Sequence, residues 1–145
     1  LIEKHFIIRI SWVFGINGNH FIKTMIRLSE TKKELNIVDD QIGSPTYTYD
    51  LAHLIIDMIN TDKYGTYHAS NEGSCSWPEL AVETFTILKK EVKVNPISTE
   101  EYPTPALRPK NSRLSKSKLI NYGFAPFPDW KGAVRRYITE FNRGG

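Results

Sequence analysis

The sequence predicts an α/β fold, and three observations carry that prediction. Short β-branched apolar runs alternate along the chain with longer segments whose apolar residues recur at helical spacing. Clusters of Gly, Asn, Pro and Ser separate the two kinds of segment. The 145 residues, 40% hydrophobic and 24% charged, suffice for one domain with its own core.

Each element follows from its residues. "IIRIS", residues 7–11, is a β-branched run expected as a buried parallel strand, apolar on both faces. "GINGN" supplies a tight turn, and Asn19 is expected to cap a helix that buries Phe21, Met25, Ile26 and Leu28. "LNIVDD" reads as a second strand and "QIGSPTYT" as a polar loop. Thr48 or Asp50 then starts a helix carrying Leu51, Leu54, Ile55, Met58 and Ile59 inward. "GTYHAS" is a third strand, introduced by Gly65. Ser76 stands three residues before Glu79, a capping box, with Pro78 in the first helical turn. "VKVNPIS" alternates like a strand and "STEEY" suits one helical turn. "PTPALRPKNSRLS" has three prolines and no period, so it reads as a loop. A short helix is expected from Ser115 to near Gly123, and Asp129 caps a last amphipathic helix through Phe141.

Composition excludes several functions. The net charge of +3 is mild and bases are interleaved with acids, so no nucleic-acid surface is expected. A single cysteine, Cys75, rules out an internal disulfide framework and suits a reducing cytoplasm. No apolar stretch reaches the roughly 18 to 20 residues that span a bilayer, so no membrane partner is expected. The opening "LIEKHFIIRIS" lacks an initiator methionine and enters a strand at once, which reads as the interior of something longer. Neither G-x-G-x-x-G nor Tyr-x-x-x-Lys occurs anywhere in the 145 residues.

Trp12 stands where a strand gives way to a loop. Ligands of open α/β sheets bind beyond the carboxyl ends of strands, so an indole there either faces a ligand or packs half-buried. Arg108 offers a bidentate fork for a diphosphate, or is a solvated loop arginine or the partner of a carboxylate within the domain. Arg113 has a structural role in the same "RPKNSRLS" loop. His68 lacks a partnered Ser, Cys or Asp and reads as a core or interface histidine, and His20 and His53 lack ligand spacing. The acids of "VDD" and "STEE" suit turns and helix starts. Cys75 reads as an inert thiol beside a helix cap.

Six stretches, "RISWVFG", "NGNHFIKTMIRL", "DDQIGSPTYTYDLA", "GTYHASNEGSCSWPELA", "TEEYPTPALRPKNSRLS" and "FPDWKGAVRRY", run in order from near residue 7 to the C-terminus. Together they resemble the dTDP-4-dehydrorhamnose reductases, of the extended short-chain dehydrogenase/reductase class. The resemblance implies the C-terminal half of a Rossmann-like extended short-chain reductase with a small substrate-binding subdomain. Residues 1–70 would hold the end of the sheet with part of the substrate region, and 71–145 mainly the substrate subdomain, with interleaved segments. It implies reduction of dTDP-4-dehydrorhamnose to dTDP-rhamnose with NADPH or NADH, bound mainly by residues upstream of this chain. The proton would come from a Tyr-x-x-x-Lys tyrosine there, so no catalytic residue is expected here.

By the same resemblance Trp12, Asn19 and Arg108 are substrate-binding candidates and Ser11 a cofactor-binding one, although Asn19 as a plain cap and Ser11 as a strand end fit equally. Trp77 and Trp130 match helix-start tryptophans and are expected to pack. Some relatives use glutamates in a magnesium-bridged dimer; Tyr49 stands at the corresponding position, so no metal is expected. The chain alone is expected to be inactive, and a homodimer is compatible with the family. The rival reading is a non-catalytic relative that binds a partner protein on the same fold. A glycine loop and Tyr-x-x-x-Lys upstream would separate the two.

Overall fold

The computed structural model describes residues 2–144. In chain order it contains β1 (Phe6–Arg9), β2 (Val13–Phe14), α1 (Phe21–Ser29), β3 (Glu34–Val38), β4 (Ile42–Gly43), β5 (Thr46–Tyr47) and α2 (Thr48–Ile59). There follow β6 (Gly65–His68), β7 (Cys75–Ser76), α3 (Trp77–Leu88), β8 (Lys93–Ile97), a 3-10 turn (Thr99–Glu101), α4 (Ser117–Asn121) and α5 (Trp130–Arg143). The mixed α/β class expected from the alternation is what forms. The strands pair as four two-stranded ladders: β1 with β6, β2 with β5 and β3 with β8 in parallel, β4 with β7 antiparallel.

Several local expectations need correction. β1 is not covered on both faces: Phe6 and Ile8 point inward, while Ile7 is 48% exposed. The polar loop at 41–48 holds β4 and β5 and runs straight into α2. In α2 only Leu51, Leu54 and Met58 pack against the core. Ile55 and Ile59 are exposed because the core that this helix meets covers a narrow stripe, not the whole apolar set. That helix does start at Thr48, one of the two expected positions, with Tyr47 as its N-cap and no side-chain cap bond. α4 begins at Ser117, two residues past the expected start, and α5 runs to Arg143. The capping box of Ser76 and Glu79 and the Asp129 cap form as read, each oxygen satisfying a free first-turn N–H.

Three clusters make the core. Phe14, Tyr47, Leu80, Val134 and Tyr137 join α3 and α5 to the β2–β5 ladder. Leu54, Met58, Tyr67, Leu119 and Phe124 join α2 and α4 to β6. Met25, Ile37, Ala81 and Phe85 lie between α1, α3 and β3. A buried polar node ties the first two clusters. Asp50 accepts both Arg136 guanidinium nitrogens, at 2.8 and 2.7 Å, and the Asn71 amide at 2.7 Å. Asn71 in turn accepts the Tyr47 N–H at 2.8 Å. Every oxygen of the buried carboxylate is therefore compensated.

Candidate functional site

A cleft of about 660 Å³ opens between α1 and β3, with the start of α3 on one side and residues 102–108 at its rim. Trp12, Asn19 and Arg108, separated widely in sequence, all line it.

Trp12 reaches the cleft through an unusual backbone. Its φ of 46° is left-handed, a conformation that costs a non-glycine residue roughly 1 to 3 kcal/mol. Neighbouring bonds hold it there. The Trp12 carbonyl accepts from the Thr46 N–H at 3.1 Å, the Thr46 hydroxyl donates to the Ser11 carbonyl at 2.6 Å, and the Ser11 hydroxyl donates to the Ser44 carbonyl at 2.9 Å. The indole then stacks on Trp77, with ring centroids 3.6 Å apart and planes 11° from parallel. Phe21 adds a third ring, 4.7 Å from Trp77. Gly43 makes room for the indole: a Cβ there would lie 2.4 Å from Trp12 Cε2 and 2.7 Å from Nε1. Trp12 therefore offers the cleft the remainder of a two-indole wall, since Trp77 already covers one of its faces.

Asn19 lines the cleft but is not the helix cap. His20 is: its Nδ1 accepts from the Lys23 N–H at 3.3 Å and its Nε2 donates to the Gly15 carbonyl at 2.9 Å, the tautomer those two partners require. Imidazole serves as a cap here because both ring nitrogens find backbone partners at once. Burial keeps the His20 pKa below the ordinary histidine value, and the Lys23 charge adds to this against the Gly15 bond. With the cap supplied by its neighbour, the Asn19 amide has no protein partner among the described residues.

Arg108 is exposed at the rim and is the one Lys or Arg lining the cleft. No Asp or Glu lines it, and among the described residues Arg108 makes no ion pair. A lone arginine in a cleft also lined by aromatic rings, with no competing carboxylate, suits an anion that also carries a flat or apolar ring. Ser11 is not brought to the cleft; its hydroxyl is spent on the Ser44 carbonyl.

The remaining candidates lie elsewhere. His68 ends β6, half-buried and without a hydrogen-bonded Ser, Cys or Asp among the described residues. Cys75 is buried and its thiol is pushed up to about 12, chiefly by that burial. Arg113 bonds the Asn111 side chain at 3.0 Å. Trp130 is buried in the core, as expected of a packing residue. Among the described residues no group of three or more His, Cys, Asp or Glu is arranged to hold a metal, and no helix is long and apolar enough to cross a membrane.

Sequence reasoning missed Trp77, Gln41 and Gly43. Trp77 packs against two core clusters, as expected of a packing residue, and its ring is also half of the aromatic wall. Its indole N–H donates to Gln41 Oε1 at 3.0 Å, and Gln41 itself is buried. The helix-start position of Trp77 beside a capping box was the available signal, because such a residue sits at the mouth of an element rather than inside it.

Known proteins resemble the chain along nearly its whole length. The family model described as the RmlD substrate binding domain matches residues 1–143. The chain is 44% identical over 134 residues to the spore coat polysaccharide biosynthesis protein SpsK of Bacillus subtilis, covering 92% of this chain and 47% of that protein. It is 38% identical over 146 residues to a dTDP-4-dehydrorhamnose reductase of Sinorhizobium fredii, covering 93% and 49%. The crystal structure of a dTDP-4-dehydrorhamnose reductase from Bacillus anthracis in complex with NADP superposes with a TM-score of 0.90 at 47% identity, covering 95% of this chain and 49% of that one. The chain thus spans about half the length of these relatives. With the fold, the cleft and these likenesses in agreement, the chain belongs to the dTDP-4-dehydrorhamnose reductase family, as an RmlD substrate binding domain.

Proposed function

We propose that these 145 residues form the substrate-binding part of a cytoplasmic reductase that converts dTDP-4-dehydrorhamnose to dTDP-rhamnose with NADPH or NADH. The observation that carries this reading is the cleft itself: a two-indole wall and one unpaired arginine line the same cavity, with no carboxylate among the lining residues. A nucleotide-linked sugar has the matching parts. Its rings pack on Trp12 and Phe21, and its diphosphate takes the Arg108 fork. Asn19, free of capping duty, offers an amide to the sugar or its phosphate.

The residues present do not fit a dinucleotide. The chain has no glycine-rich phosphate turn, and the Ser11 hydroxyl, the one candidate cofactor contact, is bonded to the Ser44 carbonyl. No hydride or proton step is therefore assigned to this chain's side chains; their work is to bind and orient the sugar nucleotide. By the family resemblance, residues upstream of this chain would hold the nicotinamide cofactor and supply the Tyr-x-x-x-Lys dyad.

Calorimetric titration of residues 1–145 with dTDP tests the reading. Arg108→Ala should weaken binding about 10- to 100-fold, the worth of a charge-assisted bidentate contact, and wild-type binding should weaken with added salt. The chain mixed with NADPH and dTDP-4-dehydrorhamnose should consume no cofactor. Unchanged affinity in Arg108→Ala, or steady cofactor consumption by the isolated chain, would overturn the proposal.

A further inference from the structure

We infer that Gln41 is a positioning residue that ties the aromatic wall of the cleft to a strap, residues 102–110, so that each steadies the other. The inference rests on the reading of the cleft as a ligand site, and its own geometry is independent of which ligand enters.

Gln41 is only 6% exposed, and both ends of its amide are used. Oε1 accepts from the Trp77 indole N–H at 3.0 Å, and Nε2 donates to the Thr99 hydroxyl at 3.3 Å. An indole nitrogen only donates, so the amide has a single allowed orientation. The Thr99 hydroxyl accepts that proton and donates its own to Asp40. The result is a directional relay, Trp77 to Gln41 to Thr99 to Asp40, in which each middle member both donates and accepts.

Asp40 and Ile42, on either side of Gln41, hold both ends of the strap. At its start, the Thr99 N–H donates to Asp40 Oδ2 at 3.3 Å. At its end, Lys110 Nζ lies 4.0 Å from the same oxygen, the Ile42 N–H donates to the Lys110 carbonyl at 2.9 Å, and the Ser112 N–H donates to the Ile42 carbonyl at 2.7 Å. Between these ends the strap touches little. Beyond the turn, whose last bond runs from the Tyr102 N–H to Thr99, its one side-chain bond is local, from the Thr104 hydroxyl to the Ala106 carbonyl, and every residue from 102 to 110 is exposed. Yet Tyr102, Thr104 and Arg108 face the cleft. Residues 40–43 thus anchor the strap, bond Trp77 and, at Gly43, seat Trp12. A ligand that stills the strap through Arg108 also restrains Gln41, and through it the Trp77 ring on which Trp12 rests; coupling of this kind is reciprocal.

The test breaks the relay at either end of the 145-residue chain and reads the other. Trp77→Phe keeps a ring in the stack but deletes the N–H, and hydrogen exchange of amides 99–112 should speed up about fivefold, the worth of one ordinary hydrogen bond. Thr99→Val keeps shape and deletes the hydroxyl; acrylamide should then quench Trp12 and Trp77 emission more strongly, Trp130 being buried. Thr99→Ser should restore the wild-type value in the second measurement. Unchanged strap exchange in a folded Trp77→Phe, or unchanged quenching in Thr99→Val, overturns the coupling. Should Trp77→Phe fail to fold, the Val and Ser pair decides. Failure of the wild-type chain to bind dTDP would instead strike the ligand reading and leave these ligand-free measurements to decide the role of Gln41.

Discussion

Gly43→Ala is the sharpest test of how the aromatic wall is seated. Gly43 has no left-handed backbone, so alanine meets no conformational strain and gains about 0.4 to 1 kcal/mol from a less flexible unfolded chain. The cost is contact. The new methyl would stand 2.4 Å from Trp12 Cε2, 2.7 Å from Nε1 and 2.8 Å from Cζ2, so the indole must retreat by about 1 Å to reach ordinary van der Waals separation. Overpacking in a closed core costs about 1 to 3 kcal/mol. Trp12 is half-buried and opens on the cleft, so the lower end applies, and the backbone gain offsets much of it. The expected net loss is at most about 1 kcal/mol, a fall of roughly 2 to 4 °C in melting temperature. Affinity for dTDP should suffer far more, by about 10- to 100-fold, because a 1 Å shift takes the indole off Trp77 and out of register with the ligand. Urea denaturation and calorimetric titration measure the two effects separately. A double-mutant cycle with Trp12→Ala then isolates the cause: without the indole, the alanine at 43 should cost nothing. Equal destabilisation in both backgrounds, or undiminished dTDP binding by Gly43→Ala, would refute the seat.

Three further outcomes follow from the same structure. Asp50→Ala should cost about 3 to 5 kcal/mol in urea denaturation, since it leaves an Asn71 N–H and part of Arg136 buried without a partner; a loss below about 1 kcal/mol would mean water replaces the carboxylate. The lowered His20 pKa makes the unfolded chain bind a proton first as pH falls, so His20's contribution is full above about pH 6.5 and is lost on acidification below it; His20→Asn should flatten that part of the stability profile. With its thiol pushed up to about 12, Cys75 should resist a thiol reagent at pH 8 in the native chain and react once denaturant unfolds it.

Much of the fold was legible because it is written locally. The Ser76–Glu79 box, the Asp129 cap and the β-branched run at 7–10 each declare themselves within a few residues. Errors arose where a residue served outside its usual repertoire, or where periodicity admits more than one buried width. His20 caps α1 through an imidazole, displacing the more conventional Asn19 by one position. In α2 the apolar set spans Leu51 to Ile59, yet only the stripe of Leu51, Leu54 and Met58 meets the core. The cleft divides in the same way. Trp12 and Arg108 announce themselves by residue type at a strand exit and in a loop. Trp77, Gln41 and Gly43 acquire their roles only when distant segments meet, and no local pattern marks a glycine as the seat of an indole so far away in the chain.

The long reach of the ladders sets the order of events when the chain is made. β1 cannot pair until β6 exists, and β3 waits for β8. Such non-local pairing is the topology associated with slow folding and a large loop-closure cost. The Asp50 carboxylate is the extreme case, because its bidentate partner Arg136 lies in α5, 86 residues further along the chain. On the ribosome the nascent chain therefore carries an unpaired carboxylate and an uncovered Phe14–Tyr47 surface until that helix emerges. Docking of α5 both covers that surface and pairs the carboxylate, and apolar surface left open before it docks is of the kind that favours aggregation.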